Sequence, residues 1–233
     1  MKVSKYIIPV LLIAIMSSCA VTEKVTKNKA YAGMYANKPV SVMIMPPINK
    51  TSNVEAKEIF HSTMLIPLAN AGYYVIPPFM SMEILKKESA WDSELFINSP
   101  LNKFNDIFGA DIALFTTITR WNKTVLATVD IEVEYVVKST TTNEILYQRK
   151  GTIIYDSSAG ISGGGLTGAL VNLAASAITT AATKYVDVAK VCNAYSLSDF
   201  PAGKYSLQYE KDGELPAGKK EFKMSLNSKY VKY

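Results

Sequence analysis

The chain has one histidine and two cysteines among its 233 residues. This scarcity excludes a four-ligand Cys/His zinc site and a multi-disulfide scaffold. Histidine-dependent catalysis has His61 alone to draw on. Charge is also sparse, at 19% of residues against 48% hydrophobic. That balance supplies a core and excludes wholesale disorder. The 25 Lys and Arg are spread along the chain, so the formal charge of +5 forms no basic stripe with interleaved aromatics, and nucleic acid is not an expected partner. At about 100–200 residues per domain, the length allows one domain with appendages.

What is present begins with a leader. Lys2 and Lys5 precede an apolar run from Tyr6 to Met16, far short of the ~20 residues a spanning helix needs. A cationic start, a short apolar stretch and small residues define a secretory signal peptide, here 1–18. Ser17 and Ser18 stand directly before Cys19, an arrangement that resembles the bacterial lipobox, with Met16 in place of the usual Leu. Cys19 is therefore the expected lipidation site. Its acyl chains would hold the protein on a membrane without spanning it, since stable anchoring takes more than one chain. Losing Lys2 and Lys5 lowers the net charge to about +3. Cys192 then remains as the single thiol, expected as a small buried hydrophobe, with an intermolecular disulfide as the sharper alternative.

Residues 19–39 are small and polar and read as a flexible tether. The domain is expected over 40–195. VSVMIM, ended by Pro46-Pro47, reads as a buried strand. Val54 to Ala71 has helical apolar spacing and a Gly72 stop, with Pro67 a candidate kink. Tyr73 to Ile76 reads as a second strand, Met80 to Lys87 and Leu101 to Phe108 as helices, and Ile112 to Ile118 as a third strand, apolar on both faces. Strict period-two alternation from Val125 to Val137, a turn at Thr140 to Asn143 and a return strand from Ile145 to Tyr155 predict a long antiparallel hairpin. Asp130, Glu132 and Glu134 share its polar face, expected to be solvated opposite Lys150. Ser157 to Thr183 carries no charge; Leu166 to about Tyr185 reads as an Ala/Thr-rich helix whose small residues permit close packing on the sheet or on a second copy. The expected class is α/β (α+β): a mixed sheet of about five strands with helices on both faces, ending in the hairpin and the Ala-rich helix. Residues 196–233 are left as an extension, a small hairpin or a tail.

Two glycine motifs fail on chemistry. Gly163 to Gly168 fits G-x-G-x-x-G, but Asp187 falls at the end of a helix and not on the second strand a dinucleotide site requires. Gly160 and Gly165 have P-loop spacing, but Leu166 takes the place of the lysine. His61 lies beside Phe60 and Ser62 without a sequence-supported nucleophile or orienter, so a triad is not supported. No cofactor is expected.

The segments VMIMPPINKTSNVEA, PLANAGYYVIPP, FGADIALFTTIT and LTGALVN together resemble a family of small conserved lipoproteins of unknown function, typified by a neisserial outer-membrane lipoprotein. The resemblance spans about Val40 to Tyr195, with AGYYV and FGAD its most specific parts. It implies a domain similar to the N-terminal domain of TolB and to the periplasmic domain of the CsgG secretion channel. It implies no catalytic residues. It further implies a role in an envelope assembly through protein–protein contact, in the company of a CsgG-like lipoprotein and a second small lipoprotein. With the lipobox, the small α/β domain and the lack of a catalytic constellation, the expected role is a non-enzymatic, outer-membrane, periplasm-facing accessory subunit of a transport or secretion complex. An envelope small-molecule-binding protein and a cryptic hydrolase are the alternatives. The candidate contact residues are Pro46, Pro47 and Asn49 after the first strand, Tyr73 and Tyr74, the loop Gly163, Gly164 and Gly165, and Ala174 and Ala177 of the small-residue helix, the last two as a homodimer seam.

Overall fold

The computed structural model describes residues 24–89, 91–124, 128–156 and 185–226. Two short helices come first, α1 (Lys27–Ala30) and α2 (Ala32–Asn37), then strands β1 (Ser41–Ile44) and β2 (Ile48–Asn49). Helices α3 (Ala56–Thr63) and α4 (Leu65–Asn70) lead to β3 (Tyr74–Val75), followed by α5 (Pro78–Lys87) and α6 (Asn102–Phe108). Three twelve-residue strands follow, β4 (Ile112–Lys123), β5 (Thr128–Ser139) and β6 (Ile145–Asp156). The last elements are α7 (Tyr185–Ser196) and β7 (Glu221–Leu226).

Among the described residues the sheet is mixed and has seven strands, ordered β3-β1-β4-β5-β6-β7, with β2 also pairing to β4. Pairs β1/β3, β1/β4 and β6/β7 are parallel, while β4/β5 and β5/β6 are antiparallel. The α/β class holds, and the sheet is larger than the five expected strands. The two additions are β2, too short to show a period, and β7, whose EFKMSL run has a mostly exposed burial pattern because it sits at the sheet margin.

Helices cover both faces where the strands are parallel. One core joins Val42, Ile44, Ile112 and Leu114 to α3, α4 and α7; the other joins Met43, Met45, Ala113 and Phe115 to residues of α5 and α6. This is why Ile112 to Phe115 are buried without alternation. Beyond a register shift between Ile118 and Arg120, β4 and the hairpin alternate, because one face there is open to water. The expected helix from Val54 to Ala71 breaks after Thr63. Pro67 lies four residues later, where its ring conflicts with the Thr63 carbonyl, so the chain restarts as α4. α6 ends on Gly109 in the left-handed region (φ 64°), its N–H bonded to the Asn105 carbonyl at 2.8 Å. α7 is described from Tyr185, the last residue of the expected Ala/Thr-rich helix, and the rest of that expected helix lies outside the described residues.

The boundaries expected at both ends of the domain are corrected. Within the expected tether, Lys27 to Asn37 is helical, and Tyr31 and Met34 are buried in the main core. In the expected extension, Leu197, Phe200 and Leu226 join the same core and β7 pairs with β6. Composition suggested a loose tether, but the two Tyr and the Met of this stretch have an apolar face of the sheet to bury against.

Candidate functional site

The candidate contact residues fall at two ends of β1. Ser41 pairs with Tyr74, so Tyr74 lies at the start of that strand, whereas Pro46 and Pro47 follow its end. Pro46 and Pro47 are buried, contrary to the expectation of an exposed contact, because β2 continues the sheet directly after them. The Pro46 carbonyl accepts from Ser93 Oγ at 2.5 Å. Asn49 is half-buried and organises its own loop, accepting from Thr51 and donating to the Asn53 carbonyl at 2.7 Å. Tyr73 is also buried, its hydroxyl donating to the Pro201 carbonyl at 3.0 Å. Gly163, Gly164, Gly165, Ala174 and Ala177 lie outside the described residues. So does Gly160-Ile161-Ser162-Gly163-Gly164, a G-x-S-x-G spacing that sequence reasoning passed over.

Among the described candidates Tyr74 is exposed, at 56%. It sits on edge strand β3, whose amides at Tyr74 and Ile76 donate inward to Val40 and Val42 carbonyls. Alternation of a strand's hydrogen bonds turns the Val75 backbone outward. Next to it the segment after α7 docks on the turn at Gly72: Gly203 N–H donates to Ala71 O and Tyr205 N–H to Gly72 O. Gly72 has φ +92°, and a Cβ there would run into the Ser206 backbone, so the turn needs glycine. This docking presents Tyr205 at 67% and Leu207 at 89% exposure. On the other side of the turn, α4 exposes Ile66, which shares a cavity of about 820 Å³ with Pro67, Ser206 and Gln208. Edge strand, loop and α4 thus form an apolar, tyrosine-bearing margin.

His61 is removed from this margin. Its Nε2 lies 3.1 Å from the Ile44 carbonyl and its ring packs edge-on to Trp91, 5.9 Å between centroids. Burial pushes its pKa down, which favours the neutral ring. Lys57 and Lys86 stand over the same Trp91 at 5.0 and 4.8 Å. In this setting the histidine is packed and hydrogen-bonded within the fold. Cys192 is fully buried in α7, and burial raises its thiol pKa, which suits the small-hydrophobe reading. The acidic hairpin face is salt-bridged. Glu132 meets Lys150 at 2.8 Å and Arg120 at 2.9 Å, and Asp130 meets Arg120 at 3.2 Å. The Lys150 contact holds the Glu132 carboxyl below its usual range. Among the described residues, no three His, Cys, Asp or Glu are grouped to hold a metal.

Sequence reasoning missed a buried polar clasp between the two ends of the domain. Asp212 accepts from Lys27 Nζ (3.1 Å), Tyr35 OH (2.9 Å) and Ala202 N–H (3.0 Å). Asp199 accepts from the Tyr31 hydroxyl and from Gly218 N–H at 2.8 Å. Arg149 of β6 donates to the Ser196 carbonyl at 2.8 Å and lies over the Phe222 ring. The carboxylates and their Lys and Tyr partners are separated by more than 160 residues, so no local spacing signals them. The FGAD segment also supports the fold, because the Asp111 carboxylate accepts from the Val40 and Ser41 amides and fixes the start of β1.

The family model for GNA1162-like lipoproteins matches residues 29–204. The chain belongs to the GNA1162-like lipoprotein family. A lipoprotein of Neisseria meningitidis serogroup B, NMB1124/NMB1162, is 25% identical over 174 residues, 72% of this chain and 78% of that protein. The crystal structure of lipoprotein GNA1162 from Neisseria meningitidis is 24% identical, covers 60% of this chain and 98% of its own, and has a TM-score of 0.47. A PelC dodecamer structure from Paraburkholderia phytofirmans is 16% identical over 61% of this chain and 87% of its own, at a TM-score of 0.34. The family range begins at Lys29 inside α1 and ends at Lys204 in the docked loop, so it takes in part of both segments that composition reads as tether and extension. Among the described residues no helix is long and apolar enough to cross a membrane, and a lipoprotein family agrees with the lipid-anchor reading of Cys19.

Proposed function

We propose that the protein is a non-enzymatic accessory subunit of an outer-membrane transport or secretion complex. It is anchored through lipid on Cys19, faces the periplasm and acts by protein–protein contact. The carrying observation is the exposed margin of Tyr74, Tyr205 and Leu207 beside edge strand β3. Clustered exposed aromatic and aliphatic side chains next to an open strand edge fit a partner surface, since a pairing strand gains backbone hydrogen bonds and side-chain pockets together. The partner class is a second envelope lipoprotein, with a CsgG-like lipoprotein and a small companion as the first candidates.

The test is photo-crosslinking in the native envelope from a probe at position 74 or 205. A discrete adduct that is lost from Leu207→Asp supports the reading, and absence of any adduct from both positions sinks it. Cys19→Ala should release the protein from the membrane fraction. Ser162→Ala and His61→Gln should leave the adduct intact; an ester-hydrolysing activity of the purified protein that both substitutions abolish would favour a hydrolase.

A further inference from the structure

On the opposite side of the sheet from β3, where β6 is covered by the chain ends, lies a groove of about 620 Å³. Lys24, Lys219 and Lys220 line it, with Val25 and Ile145 beside them and Tyr147 beneath. The three lysines are exposed, as are Val25 and Ile145, whereas Tyr147 is buried. Glu144 and Glu214 stand nearby and keep their charge, accepting from Thr142 and Asn28, while Glu221 lines a separate hollow with Lys150 and Lys223. Among the described residues no carboxylate lines the groove itself, which joins cationic and apolar surface.

Its position relative to the anchor is fixed by hydrogen bonds. Val25 accepts from Ala217 N–H at 2.8 Å, Thr26 bridges to Pro216, and Lys27 N–H donates to Leu215 O at 2.9 Å. The chain is thus held to the fold from Val25 onward, at the rim of this groove. Lys24 is five chain steps from Cys19, a span of at most about 18 Å even when fully extended. A lipid on Cys19 consequently keeps the groove within that distance of the bilayer, which gives even a weak site a high effective concentration of headgroups.

We propose that this groove docks on the anionic phospholipid headgroups of the membrane that receives the Cys19 lipid. The lysines meet phosphate oxygens, and Val25 and Ile145 meet the interfacial apolar layer. The anchor and the groove then act as two membrane signals, and together they orient the domain with β6 and β7 toward the bilayer. The proposal rests on the lipid-anchor reading of Cys19.

The test uses the mature chain, residues 19–233 without the leader, carrying Cys19→Ala, so that neither leader nor lipid contributes to binding. In co-sedimentation it should bind vesicles of phosphatidylcholine containing phosphatidylglycerol and not pure phosphatidylcholine, and lose binding as salt is raised. Each lysine at an anionic surface contributes about fivefold, so Lys24→Gln, Lys219→Gln and Lys220→Gln together should weaken binding roughly 100-fold. A control triple on distant elements, Lys50→Gln, Lys87→Gln and Lys103→Gln, should retain it. Equal binding to both vesicles, no effect of the groove triple, or an equal loss in the control triple each overturn the proposal. Displacement by millimolar inorganic phosphate overturns it as well, since the site would then take free phosphate. The intact mass of the wild-type chain is read separately. An unmodified Cys19 overturns the anchor reading and with it the premise here, whereas a lipidated Cys19 with charge-blind vesicle binding overturns the groove alone.

Discussion

Asp212→Ala is the sharpest probe of how the chain ends are held. The Asp212 carboxylate is buried and gathers Lys27, Tyr35 and the Ala202 amide. Removing it strands the Lys27 ammonium, which keeps one contact, to the Phe200 carbonyl at 3.4 Å. Breaking a buried ion pair from one side costs about 3–5 kcal/mol. Against a total stability of about 5–15 kcal/mol, a loss near 4 is severe. At about 3 °C per kcal/mol for a domain of this size, Tm should fall by roughly 12 °C. Because the pair ties α1 to the segment after α7, the loss should also be local: trypsin should cut at Lys27 and Lys29 well below the melting temperature. Adding Lys27→Met removes the stranded charge and should recover at least half of the lost stability, a coupling that a double-mutant cycle reads directly. Urea denaturation of the four proteins measures it. A single variant that melts within about 1 kcal/mol of the wild type, with Lys29 still protected from trypsin, would refute the reasoning.

Three further outcomes are expected. Tyr74→Arg should abolish the envelope crosslink while changing stability by no more than about 0.5 kcal/mol, as for an exposed side chain, and a large loss of stability would show that Tyr74 is structural. Ala174→Arg or Ala177→Arg should convert the protein to a monomer in light scattering if the small-residue stretch is a self-association seam; an unchanged mass counts against that seam. Burial lowers the His61 pKa, so the folded chain resists a proton that the unfolded chain accepts. This stability is complete above the ordinary histidine value of about 6.5 and drains as pH falls through the lowered folded value, at no more than about 1.4 kcal/mol per pH unit. His61→Gln should flatten the stability profile between about pH 7 and 5, and a profile unchanged by the substitution would refute the assignment.

The parts of the fold legible in the sequence were those with a local signal, whether a period, an unbroken apolar run or a glycine stop. The hairpin from Thr128 to Asp156 follows its alternation, and its acidic residues meet Lys150 and Arg120 across the wet face. Gly72 and Gly109 stop their helices where left-handed backbone is needed. β1 and the first part of β4, Ile112 to Phe115, were readable because both faces are buried there. The chain ends were not readable. Lys27, Tyr31 and Tyr35 look like tether residues until Asp199 and Asp212 arrive to receive them, and a partner so distant in sequence leaves no local mark. β7 sets Glu221 and Lys223 among its apolar residues and buries Leu226 alone, so its place is set by Lys150 N–H bonding to Lys220 O and by Phe222 crossing Gly151. Of the candidate contact residues, Tyr74 survives as exposed because β3 is an edge. Its neighbour Tyr73 points inward, since successive strand residues face opposite sides.

The sheet order then separates the two proposed surfaces. The tyrosine margin lies at β3 and the lysine groove at β6, four strand spacings apart, or roughly 19 Å. The segment from Leu197 to Gly218 links them: it touches the β3 turn through Tyr205 and Gly72 and receives the N-terminal segment through Ala217 and Val25. Asp199 and Asp212 lie within that segment, so the clasp that fixes the tether exit also fixes the loop that presents Tyr205 and Leu207. A perturbation that opens the clasp should therefore act on both surfaces at once. If Asp212→Ala frees the tether yet leaves the crosslink from position 205 untouched, the two surfaces are independent and the 197–218 segment is not a shared support. If both are lost together while Tyr74→Arg removes the crosslink alone, the single buried carboxylate is what holds membrane side and partner side in one geometry.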